Sequence, residues 1–126
     1  MIRIFAISTL LTASFLVPSA PASAAPKRAR CVISNNSDGV FLNGPCLFDA
    51  DRDGSFVISP VKGTFLVPQD DESPGITQIS LDVERRGRGE VRGLTGAGMN
   101  SRWGPATRSA KDRACWVGED FRLCVY

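Results

Sequence analysis

Four cysteines, Cys31, Cys46, Cys115 and Cys124, carry the widest chemical reach in this 126-residue chain, and no histidine accompanies them. Without imidazole, Ser-His and Cys-His nucleophile pairs, a histidine acid/base and His-ligated zinc are all excluded. None of the cysteines forms the tight C-x-x-C knuckle of a zinc site. A second cluster is Asp49-Ala50-Asp51-Arg52-Asp53-Gly54, which opens like a calcium loop. Asp49, Asp51 and Asp53 offer three carboxylates on a tight turn. The ninth and twelfth places of the loop are Val57 and Pro60, so the bidentate acid is missing. The alternative is an Asp-Gly hairpin turn with solvated carboxylates.

Three further groups carry charge or aromatic surface. Asp70, Asp71 and Glu72 could in principle supply a carboxylate pair for glycoside hydrolysis. They sit in a polar loop with no apolar wall to raise a pKa. Arg85, Arg86, Arg88 and Arg92 form a basic strip whose guanidinium forks suit phosphates, sulfates or an acidic protein. The alternative is a charged edge that blocks strand-to-strand aggregation. Trp103, in a stretch that reads as an irregular loop, is either a binding anchor or a lid on the end of a barrel. Thr95, Gly96, Gly98, Ser101 and Arg102 precede it as candidate partner contacts. The chain contains no G-x-S-x-G, phosphate loop or H-E-x-x-H. The reading is a non-catalytic protein, with a carboxylate-based hydrolase as the remaining catalytic alternative.

The compartment follows from the first residues. Met1-Ile2-Arg3 is basic, residues 4–17 carry no ionisable side chain, and Ala22-Ser23-Ala24 makes a small-residue cleavage site. The apolar run is shorter than the ~20 residues that span a bilayer as a helix. We therefore expect a cleaved secretory signal at residues 1–24, a flexible basic tail at 25–30 and one domain at 31–126. Beyond residue 24 the chain holds 14 basic and 13 acidic residues. That near-neutral balance argues against a nucleic-acid binder, and no other segment approaches membrane-spanning length. In an oxidising space disulfides are the default fate of the cysteines. Of three connectivities, Cys31–Cys46 with Cys115–Cys124 is favoured, because each pair brackets an expected hairpin.

The elements that must position these groups read as strands. Short β-branched and aromatic runs are punctuated by turn residues, the pattern of an all-β antiparallel barrel or sandwich of six to eight short strands. Residues 31–34, 40–42, 46–48, 55–58 and 63–67 are expected strands, with turns at Asn35-Asn36-Ser37-Asp38-Gly39 and Asn43-Gly44-Pro45. Ile79, Leu81 and Val83 alternate with Ser80, Asp82 and Glu84, one face buried and one wet. Residues 90–94 pair back onto that strand, residues 95–111 are irregular, and residues 114–126 close the chain as a hairpin turning at Gly118-Glu119-Asp120. Trp116 is expected in the core.

Cys31, Asn43-Gly44-Pro45-Cys46-x-Phe48, Asp53-Gly54-Ser55-Phe56, Trp103-Gly104, Asp112-x-Ala114-Cys115-Trp116 and Cys124 together resemble small secreted proteins of Gram-negative bacteria. That resemblance implies an exported, periplasmic or secreted, disulfide-stapled β-domain and no particular activity. Thr95-Gly96-Ala97-Gly98, ahead of Trp103 and the terminal cysteine, is similar to the small-residue loop of periplasmic inhibitors of c-type lysozyme. Met99-Asn100 departs from the aromatic residue usual after that loop. The similarity implies a module that acts on another protein at the envelope or from a host. The competing readings are a calcium-binding or a polyanion-binding structural protein.

Overall fold

The computed structural model describes residues 14–19, 25–35 and 39–126. Most of the expected signal segment, its cleavage site and Asn36-Ser37-Asp38 lie outside the described residues. Eight strands form one closed antiparallel barrel in chain order. They are β1 (Lys27–Asn35), β2 (Gly39–Ala50), β3 (Phe56–Ser59), β4 (Ile76–Arg85), β5 (Arg88–Thr95), β6 (Asn100–Arg108), β7 (Cys115–Val117) and β8 (Phe121–Val125). Of the two architectures that fit the sequence, the barrel forms. Each strand pairs with the next, and β1 pairs with β8 to close the ring.

Alternation sets the inside. Ile33, Ile58, Ile79, Leu81, Val91 and Leu123 are fully buried. An eight-stranded barrel is just wide enough for side chains to fill it or for one small ligand, and here side chains fill it. Phe56 and Trp116 join the core, as expected for Trp116. Outward positions of β4–β6 carry Ser80, Asp82, Glu90, Arg92 and Arg102, the reverse of the apolar outer band of a transmembrane barrel. No described helix is long and apolar enough to cross a membrane.

Five local expectations need correction. Residues 27–30 are not a tail: they belong to β1, and Arg30 exchanges backbone hydrogen bonds with Tyr126 at 2.8 and 3.1 Å. Asn43-Gly44-Pro45 is not a turn, because β2 runs through it. The Pro45 backbone costs no ladder bond, since β3 pairs only with residues 47–50 of β2. Residues 63–67 form no strand and contribute one bridge, Val67 to Ile76. Within 95–111, residues 100–108 are β6, paired with β5 through a bulge opposite Val91/Arg92. Trp103 therefore lies on a strand and not in a loop.

β3 has four residues and β7 has three. Residues 39–46 of β2 have no partner in β3, and residues 100–106 of β6 have none in β7. These two short strands leave two notches in the barrel wall, both toward the end where Gly39, Thr95, Asn100 and Phe121 lie.

Candidate functional site

The four cysteines form the two favoured bonds, Cys31–Cys46 and Cys115–Cys124. All four sulfurs are thereby taken, so no thiol is left for nucleophilic or redox work. Cys115 and Cys124 are direct register partners. Arg122 reaches both of their sulfurs, at 3.3 and 3.4 Å. The pairing is consistent with an extracytoplasmic protein.

The calcium-like segment serves the turn between β2 and β3. The Asp53 carboxylate accepts from the Ser55 backbone N–H at 2.9 Å and from the Ser55 hydroxyl at 3.1 Å. The buried Ser55 hydroxyl in turn accepts from the Val83 N–H at 2.8 Å. Asp49, Asp51 and Asp53 do not converge, and no three His, Cys, Asp or Glu among the described residues gather to hold a metal. The exposed Asp53 carboxylate is engaged by Ser55. Asp70 likewise folds back on its own loop, accepting from the N–H groups of Glu72 and Ser73.

The basic strip divides. Arg85 and Arg88 face each other across the β4–β5 hairpin, with Arg86 in the connection. Gly87 takes φ of 71°, the left-handed conformation that glycine adopts without strain. Arg92 sits four residues beyond Arg88 on β5 and is tied to Glu90 at 3.1 Å. Arg102 also binds Glu90, at 2.6 Å from its Nε and 3.3 Å from Nη2. Arg102, then Arg92, hold the Glu90 carboxyl below the usual carboxylate range. The same bond raises the Arg102 pKa.

Thr95 and Met99 close a compact turn: the Thr95 N–H donates to the Met99 carbonyl, and the Met99 N–H donates to the Thr95 hydroxyl. Gly96 lies flat on the 65–75 segment, where a Cβ would collide with the Pro74 carbonyl and the Phe65 ring. Its smallness serves internal packing. Gly98 takes a positive φ in open space. Ser101, Arg102 and Trp103 are on β6. Residues 96–99 thus make the short tip of the β5–β6 hairpin, with Ala97, Gly98 and Met99 exposed.

The structure gathers a different set around Trp103. Its indole lies over Gly93, where a Cβ would come within 2.9 Å of the ring nitrogen. It meets Phe121 edge-on, with centroids 5.6 Å apart. With Phe41, Asn35, Arg102 and Asp120 these rings line a cleft of about 290 Å³ in the notch above β7. At the same end of the barrel Val40, Phe41 and Met99 are exposed. Sequence reasoning named Arg102 and Trp103 but missed Phe41, Gly93, Asp120 and Phe121. Their signal was the unusual exposure of a Val-Phe pair, which only the fold reveals. Neither a family model, nor a curated protein, nor a solved structure matches this chain.

Proposed function

We propose that the protein is exported by a cleaved signal at residues 1–24 and acts outside the cytoplasm as a non-catalytic module that binds another protein. The observation that carries this reading is the Trp103 cleft with its exposed neighbours. Apolar side chains of the core occupy the barrel interior, and the groups suited to recognition lie at the surface. There an aromatic-lined cleft, a positioned guanidinium and exposed Phe41 combine the residue types that dominate protein interfaces. Two disulfides suit the periplasm or the exterior. The resemblance to lysozyme inhibitors makes c-type lysozyme the first partner to try, although the contact surface here is the Trp103 end and not an inserted loop.

The test is immobilised, oxidised protein presented to c-type lysozyme and to envelope extract. The expected result is a saturable protein partner whose Kd rises about thirtyfold with Phe41→Asp, the scale of a hot-spot loss. Arg52→Glu, on the exposed β2–β3 turn at the other end of the barrel, should leave it unchanged. Absence of a protein partner, or equal binding by Phe41→Asp, defeats the proposal.

A further inference from the structure

The second notch, above the four-residue β3, holds a different chemistry. It opens a cleft of about 470 Å³. Its floor is apolar: Leu66 is buried, and Leu42 and Phe65 are half-buried. Among the described residues, Arg28 on β1 and Lys62 on the 60–75 segment are the only charged ones of the lining, and both are exposed. Neither forms an ion pair with a described residue. No described acid lines the cleft to neutralise them.

From this arrangement we propose that the cleft binds a single amphiphile with an anionic head, a carboxylate or a phosphate, and one apolar chain. The head lies between Arg28 and Lys62, where charge-assisted hydrogen bonds are available. The chain lies over Leu42, Phe65 and Leu66. The space equals roughly sixteen waters at ~30 Å³ each, room for one chain. Two alternatives fit less well. A peptide strand laid along β2 needs backbone donors, and Pro45 and Pro60 at the cleft have none. Docking onto a membrane surface needs apolar groups that protrude, whereas Leu66 is 4% exposed. The inference is independent of the Trp103 cleft and of the protein partner proposed there.

Calorimetric titration of the oxidised protein tests it, with dodecanoate, monododecyl phosphate and dodecyl maltoside below their micelle concentrations, inorganic phosphate, and phosphatidylglycerol vesicles. Both dodecyl anions should bind with one-to-one stoichiometry, weakening about threefold to fourfold for each methylene removed. The neutral maltoside should bind at least about tenfold more weakly, the worth of hydrogen bonds to a charged head. Arg28→Gln with Lys62→Gln should remove that preference and leave Tm unchanged, since both side chains are exposed. Four results overturn the proposal: no binding of the anions, equal binding of the maltoside, inorganic phosphate binding as tightly as its dodecyl ester, or binding to vesicles alone. The last would mark a membrane-docking face.

Discussion

Glu90 is the residue on which the Trp103 end depends electrostatically. One carboxylate receives two guanidiniums, and it is Arg102 that borders the cleft. Its pKa is depressed in the folded protein. The stabilisation is therefore complete above the unfolded-chain value of about 4.3, and it is lost as pH falls through the lower folded value. Glu90→Gln should lower Tm modestly at pH 7, and the gap to the parent should close toward pH 2. Thermal melts followed by circular dichroism across that range check it; a gap that persists in acid would show that packing, and not the charge, was removed. None of this was legible in the sequence. Glu90 and Arg102 meet only because β5 and β6 pair with a bulge at Val91/Arg92, and register is not written in composition. The cysteine pairing was legible, because turn residues between the members of each pair imposed hairpins.

At the scale of elements, the prolines explain most of what the sequence hid. Pro45 and Pro105 look like strand breakers, yet each lies where its strand has lost a neighbour, β3 for one and β7 for the other. A missing N–H costs nothing there. β4 was plain because both its faces keep their character, Ile79 and Leu81 inward and Ser80 and Asp82 outward. β6 was hidden because Gly104 and Pro105 interrupt the alternation. Residues 63–67 carried a strand pattern, but the chain spends Leu66 as a plug in the wall and not as a member of a ladder. The Asp-rich turn is tied locally: Asp53 accepts from Ser55, the residue just before β3. Ser55 links the β2–β3 turn to β4 through the Val83 N–H. Removing a hydroxyl that satisfies a buried donor costs about 1–3 kcal/mol, so Ser55→Ala should lose that much stability in urea unfolding. A loss within error would mean that water replaces the hydroxyl.

The whole molecule is a ring whose seam joins its two ends. β4, β5 and β6 follow one another through short connections, while β1 and β8 pair across almost the full length of the domain, with Cys31 opposite Val125. Bringing such distant segments together carries the largest loop-closure cost in the barrel. Both disulfides lie in the hairpins that meet at this seam, β1–β2 and β7–β8. Arg30 adds a backbone pair with Tyr126 and stacks over its ring, 4.6 Å from the centroid. The Tyr126 hydroxyl donates to Asp112 at 2.7 Å, which holds the Asp112 carboxyl below its usual range. Short-loop disulfides contribute about 2–3 kcal/mol each by constraining the unfolded chain, against 5–15 kcal/mol for a typical domain. One staple thus supports a short ladder, since β7 contributes only three residues, and the other clamps the longer β1–β2 hairpin beside the seam. Reduction should therefore lower Tm, and it should do so unevenly. In hydrogen exchange on the reduced protein, amides of β1, β7 and β8 should open before those of β4 and β5, because sub-global opening begins where local support is weakest. Exchange that accelerates equally in β4 and β5 would show one cooperative unit with no weak seam, and the position of the two disulfides would then carry no mechanical meaning.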